Sequence, residues 1–179
     1  LLLTSDEEGD ATDGIVRVAD DLRARGPVPD FCLVGEPSSL EKLGDSVRTG
    51  RRGSMHGRLQ VNGIQGHTAF PQFLDNPVHR LAPFLAEWAR TTWDRGNADF
   101  PPTSSQIASI HAGTGARNVT PSEAVVQLNV RHCPETSSAE VQARVEDMLR
   151  RHGIANYSLE WQVSGEPFHS QAGRLREAT

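Results

Sequence analysis

The chain changes its hydrophobic rhythm once, near residue 53. Before that point apolar residues come as short continuous runs, Leu1 to Thr4 and Phe31 to Val34. Between them Ile15, Val16, Ala19 and Leu22 form a helical stripe that stops at Gly26-Pro27. Continuous apolar strands around a helix predict a β-α-β unit of a parallel sheet, whose functional residues lie in loops at the strand C-termini. The acidic stretch from Ser5 to Asp10 and the loop Gly35-Glu36-Pro37 occupy those places. Because Leu1 to Thr4 reads as a strand covered on both faces, the chain is expected to begin inside a larger α/β domain.

From Ser54 onward the rhythm is alternation. Met55, Leu59 and Val61 alternate with His56, Arg58, Gln60 and Asn62, as in a half-exposed antiparallel strand. Asn76-Pro77 opens a helix with Val78, Leu81, Leu85, Trp88 and Ala89 on one face, in which Pro83 would kink the axis or limit the first turn. Gln106 to His111 and the alternating Ala124, Val126, Leu128 and Val130 predict two strands, joined through a turn at Gly113-Thr114-Gly115. Ser137 and Glu140 form a capping box before the stripe Val141, Val145, Met148 and Leu149, and Tyr157, Leu159, Trp161 and Val163 alternate as a last strand. The order β-α-β-β-α-β predicts a four-stranded antiparallel sheet with two helices on one face. The expected fold class is therefore α/β, a partial parallel-sheet domain over 1–53 carrying an inserted ferredoxin-like domain over 54–165. A polar stretch over 166–179 would return to the first domain.

Composition narrows the function classes. The 179 residues suffice for a core without disulfides or a structural metal. A net charge of -5, with no basic run longer than Arg51-Arg52 or Arg150-Arg151, argues against nucleic acid and anionic membranes as partners. No run approaches a membrane span and no signal-peptide pattern is present, so the cytoplasm is the expected address. Cys32 and Cys133 each sit in an apolar run rather than a CxxC pair and are expected to be buried, reduced thiols.

Two adjacent carboxylates at a strand end point in different directions, so one can ligate a metal while the other accepts a proton from water. Asp6-Glu7-Glu8 offers that choice, against the simpler reading of a solvated acidic loop at a helix N-terminus. Glu36 adds a carboxylate at the next strand end. A zinc pair also wants imidazole, and none of the seven histidines precedes residue 54. His56, His79, His111, His132 and His152 are expected in surface or capping roles, and His169 falls in the polar tail. His67 differs: Gly63-Ile64-Gln65-Gly66-His67 holds it on a glycine-flanked loop, from which an imidazole can donate to a developing oxyanion. Arg51 and Arg131 could each grip a carboxylate in a fork, or lie solvated on the surface.

Five segments together resemble the metallopeptidase family of aminoacylases and carboxypeptidases. They are Leu3-Thr4-Ser5-Asp6-Glu7-Glu8-Gly9, Val34-Gly35-Glu36-Pro37-Ser38, Gly50-Arg51-Arg52-Gly53-Ser54, Gly63-Ile64-Gln65-Gly66-His67 and Gly113-Thr114-Gly115-Ala116-Arg117-Asn118-Val119. The resemblance implies hydrolysis of N-acyl amino-acid amides by a two-zinc catalytic domain with an inserted dimerisation domain; cobalt or manganese would also suit the carboxylates. It implies Glu7 as general base, with Glu8 and Glu36 each binding one metal. His67 would act as the oxyanion donor in the partner subunit's site of a homodimer formed through residues 54–165. Arg51, Ser54, Asn118 and Arg131 match positions that hold the succinyl carboxylate and acyl portion of a small N-succinyl amino-acid substrate.

The family's His-x-Asp segment and a further histidine of its metal site have no counterpart in this sequence. The chain alone is therefore expected to be inactive and to bind no metal tightly. Arg117 stands where relatives often carry asparagine, and Phe70 where they carry tyrosine. The competing readings are a related deacylase acting on acetylated substrates and a non-catalytic dimerisation module.

Overall fold

The protein is described here by a computed structural model covering residue 3 and residues 13–26, 29–35, 38–170 and 173. Glu7, Glu8 and Glu36, with most of the expected strand Leu1 to Thr4, lie outside the described residues. The chain forms two compact units, one of Leu1–Val47 with Gly173–Thr179 and one of Arg48–Ala172.

In the first unit the expected helix is present as α1 (Ile15–Arg25), but none of its residues is buried, and Ile15 and Val16 face solvent. Phe31 to Val34 departs from expectation. These residues form no strand, and Phe31, Leu33 and Val34 are exposed. A strand exists only through hydrogen bonds to a neighbour, and no described residue pairs with this segment. Cys32, expected to be buried, is exposed for the same reason, whereas Cys133 is buried as expected.

The second unit is built on a four-stranded antiparallel sheet of β2 (Gly53–Asn62), β4 (Ser104–Ala112), β6 (Glu123–His132) and β7 (Tyr157–Gly165), in the order β4-β6-β2-β7. Two short ribbons accompany it: β1 (Gly50–Arg51) with β8 (Phe168–His169), and β3 (Gly66–His67) with β5 (Val119–Thr120). The first ribbon carries the unit beyond the span 54–165, out to Arg48 and Ala172.

Alternation decides the faces of the sheet. Met55, Leu59 and Val61 of β2 and Ala124, Val126, Leu128 and Val130 of β6 point to one side and are buried. Helices α2 (Pro77–Trp88) and α3 (Ser138–Arg151) cover that side with Leu81, Phe84 and Trp88, and with Val141, Val145, Met148 and Leu149. Each of these large side chains contributes about 1.5–3 kcal/mol by leaving water. Asn76 caps α2 by accepting from the Val78 N–H, and the Ser137/Glu140 capping box starts α3. Pro83 sits inside α2 without ending it. His132 also differs from its expected surface role. It continues the inward register of β6, is fully buried, and has Nδ1 2.8 Å from the Thr136 carbonyl oxygen.

Asp94 organises the segment between α2 and β4. Its carboxylate accepts from the backbone N–H groups of Gly96 (2.8 Å) and Thr103 (2.9 Å) and from the Thr136 hydroxyl (2.6 Å). Burial by itself would raise its pKa. Donation from the Thr103 and Thr136 side chains and from the two backbone groups more than offsets this, holding the group well below the usual carboxylate range.

Candidate functional site

The polar face of the sheet carries a hydrogen-bonded row. Arg58 donates to Gln60 (3.1 Å), and Gln60 donates to Asn62 (3.1 Å) and to Glu123 (3.0 Å). At the start of β2 this row gives way to a cavity of about 310 Å³ lined by Arg51, Arg52, Ser54, His56, Arg131, Ser164 and Gly165. No described carboxylate lines it. Register explains the convergence: Ser54 lies opposite Arg131 on β6 and opposite Gly165 on β7, so the two neighbouring strands place their residues on either side of its hydroxyl. Among the described residues neither Arg51 nor Arg131 has a salt-bridge partner, which leaves both guanidinium forks able to take a carboxylate.

His67 belongs to the opposite end of the sheet. The loop after β2 folds back on itself through mutual backbone hydrogen bonds between Ile64 and Asp75 (2.8 and 2.9 Å). Gly63 is needed there, because a Cβ would stand 2.1 Å from the Asp75 carbonyl oxygen. Thr120 fastens β3 by accepting from the Gly66 N–H at 3.1 Å and donating to the Gly66 carbonyl at 3.2 Å. Thr68 N–H donates to the Asn118 carbonyl at 2.9 Å. The His67 ring is thus held on both sides. Ala69 N–H donates to Nδ1 (3.1 Å), and the Asn118 side-chain amide lies 3.2 Å from Nε2. A backbone N–H can only donate, so Nδ1 is an acceptor and the neutral ring carries its proton on Nε2. The Asn118 side-chain nitrogen faces Nε2; turned end for end, the amide would offer its oxygen to that N–H.

Of the expected site residues, then, Arg51, Ser54 and Arg131 are brought together, and His67 and Asn118 are brought together. The two groups are not joined within one chain. β2 and β6 run from one to the other, and eight or so residues at about 3.3 Å each put them roughly 26 Å apart. Arg52, His56, Ser164 and Gly165 were not anticipated as cavity residues. The alternation that places Ser54 on the polar face also places His56 there, so that one was readable.

A larger groove of about 790 Å³ runs between α2 and α3, lined among others by Glu87, Arg144, Asp147, Arg151 and His152. Its charges satisfy one another. Arg151 (2.8 Å) and His152 (2.6 Å) both hold Glu87, and these hydrogen bonds, Arg151 first, lower its pKa. Arg144 donates to the Trp93 and Thr92 carbonyls and stacks 4.7 Å over the Trp93 ring. This groove joins two helices and offers few free groups to a ligand. Among the described residues no group of three or more histidine, cysteine, aspartate or glutamate side chains is placed to hold a metal, and no helix is long and apolar enough to cross a membrane.

Comparison with known proteins fits this picture of a sheet and two helices with unsatisfied cationic and loop groups. Residues 49–156 match the peptidase dimerisation domain, and the chain belongs to that family. It is similar to the succinyl-diaminopimelate desuccinylase of Bordetella petrii, at 55% identity over 178 residues that cover 99% of this chain and 47% of that protein. The enzyme of the same name from Halorhodospira halophila is 53% identical over the same coverage. The chain thus spans about half the length of these relatives. Among solved structures, a putative aminohydrolase from methicillin-resistant Staphylococcus aureus shares the fold with a TM-score of 0.55 at 19% identity, over 68% of this chain and 33% of that one. A metallo-carboxypeptidase from Sulfolobus solfataricus does so with a TM-score of 0.52 at 11% identity, over 67% and 45%.

Proposed function

We propose that this chain is the dimerisation domain, with adjoining catalytic-domain segments, of a metal-dependent amide hydrolase that removes succinate from N-succinyl-LL-2,6-diaminopimelate in the cytoplasmic route to diaminopimelate and lysine. In this reading residues 1–53 belong to the catalytic domain, 54–165 form the dimerisation domain, and 166–179 return to the catalytic domain. The observation that carries the reading is the cavity where Arg51 and Arg131 flank the Ser54 hydroxyl and no described lining residue is a carboxylate. A succinyl group differs from an acetyl group by a methylene and a free terminal carboxylate, and this cavity has the charge and the forked donors to select that carboxylate.

The separation of the two residue groups supports a dimer in which the site is shared. His67 and Asn118 of one subunit would serve the cavity of the other, where the Nε2–H of His67 donates to the oxygen of the attacked amide as negative charge builds on it. Strand β4 is the edge best suited to join two copies. It is nine residues long and carries no charged residue and no proline, whereas the opposite edge strand β7 carries Glu160. Ile110 on β4 remains half exposed on the helix-covered side, opposite the buried Val126.

Glu8 and Glu36 would each hold one zinc, or cobalt or manganese, and Glu7 would take the proton of the attacking water. Bound metal supplies polarisation of the amide carbonyl and acidifies water. With no counterpart of the family's His-x-Asp segment in this sequence, these carboxylates alone would not complete a bridged pair. An assay of the full-length protein with zinc on succinylated and acetylated diaminopimelate tests the reading. Preference for the succinyl substrate supports it, and equal or better turnover of the acetyl substrate contradicts it. The 179-residue chain alone should show no turnover.

A further inference from the structure

The wall of the cationic cavity formed by β7 is irregular. From Tyr157 to Val163 the strand pairs with β2 in an unbroken antiparallel register that ends at Met55 opposite Val163. Continuing it would set Ser54 against Ser164. Instead Ser54 lies opposite Gly165, so Ser164 is an extra residue and the strand bulges at the cavity. Bulges re-aim side chains and cluster beside functional sites. Here the bulge brings a residue without a side chain to the place next to Ser54, and the Arg51 guanidinium lies over it. A Cβ built on Gly165 would stand 2.4 Å from Nη2 and 3.5 Å from Cζ of Arg51, and, its chain neighbours aside, no other described heavy atom comes within 4 Å.

We propose that the Ser164-Gly165 bulge determines the acyl-group specificity of this cavity by leaving, at residue 165, the space that seats the Arg51 guanidinium beside Ser54 and opposite Arg131. The ligand class is an amide whose acyl chain ends in a free carboxylate. Gly165 touches no substrate and acts as a positioning residue for Arg51. This rests on the reading of Arg51, Ser54 and Arg131 as the carboxylate-binding groups. It adds a residue that no charge or hydrogen-bond argument would select. Arg51 extends from a two-residue strand and its side chain makes no hydrogen bond to a described residue, so the surface it lies against fixes where its fork points. The arrangement also separates recognition from folding. Gly165 has no left-handed backbone conformation to lose, and the only atoms an added methyl meets are the far end of a flexible side chain.

The test is a titration of the isotopically labelled 179-residue chain with N-methylsuccinamate, followed by backbone amide shifts, with N-methylacetamide as the control lacking a carboxylate. The variants are Gly165→Ala, Arg51→Ala and the double substitution. The expected result is saturable shifts around Ser54 and Arg131 with N-methylsuccinamate only, about tenfold weaker binding in Gly165→Ala, and no further weakening when Gly165→Ala is added to Arg51→Ala. The melting temperature of Gly165→Ala should match the parent chain. Equal binding by Gly165→Ala and the parent overturns the inference and leaves the carboxylate reading standing. Additive losses in the double variant, or a melting temperature lowered by several degrees, overturn it too, since Gly165 would then act otherwise than through Arg51. Absence of saturable shifts in the parent chain overturns the carboxylate reading and this inference with it.

Discussion

The Asn118 side-chain amide stands 3.2 Å from Nε2 of His67, across the ribbon in which His67 pairs with Val119. With Nδ1 occupied by the Ala69 N–H, the imidazole presents a single donor, and Asn118 controls where it points. On the proposed reading, His67→Ala in the full-length protein should lower kcat by about 10²–10³, the usual cost of removing an oxyanion donor. Asn118→Ala, which loosens the ring without removing it, should cost about tenfold. Both side chains are exposed, so thermal melts should stay within about 0.5 kcal/mol of the parent protein.

Arg131 faces the cavity from β6 and lacks a salt-bridge partner among the described residues. Arg131→Ala should raise KM for the succinylated substrate by roughly 10–100-fold, the worth of a charge-assisted fork, and leave the acetylated substrate nearly unchanged. Steady-state kinetics on the two substrates measures the contrast directly.

The carboxyl of Asp94 lies below its ordinary pKa in the folded protein because Thr103, Thr136 and Gly96 donate to it more strongly than burial opposes it. A group whose folded pKa is depressed stabilises the fold above its unfolded pKa, near 4, and loses that contribution as pH falls through and below it. Asp94→Asn should therefore destabilise the chain by about 2 kcal/mol at neutral pH, for want of charge-assisted hydrogen bonds. It should also flatten the loss of melting temperature between pH 4 and pH 2 that the parent chain shows, which a pH series of melts will reveal.

Placing a charge on the neutral edge strand tests the dimer contact. Ile110→Lys on β4 should convert a dimeric chain to a monomer by sedimentation, since charge blocks edge-to-edge pairing. Its melting temperature, measured at low concentration, should change little, because Ile110 is already half exposed.

The elements that were legible in the sequence are those whose signals are local. The Ser137/Glu140 box marks the start of α3 to the residue, and the strict alternation from Met55 to Asn62 and from Ala124 to Val130 fixes β2, β6 and their two faces. What escaped depends on partners distant in the chain. Asp94 finds Thr103 and Thr136 at separations of 9 and 42 residues, and nothing near Asp94 announces either. His132 looked like a terminal polar residue, although its position in the alternation already aimed it inward. Phe31 to Val34 carries a strong strand pattern yet forms no strand, because pattern supplies a face and not a neighbour. The candidate site was legible as residue types in Arg51, Ser54, His67, Asn118 and Arg131. Their division between two ends of the sheet was not, since it depends on register.

The central claim is that two copies share each site, with His67 of one completing the cavity and carboxylates of the other. The most direct measurement mixes full-length His67→Ala and Glu7→Ala subunits, each inactive alone, under conditions that let dimers exchange. Half of the subunits then pair as heterodimers, each with one site holding an intact Glu7 and an intact His67, so activity should return to roughly a quarter of the parent level. No recovery on mixing, with exchange verified by a tagged subunit, would contradict the shared site.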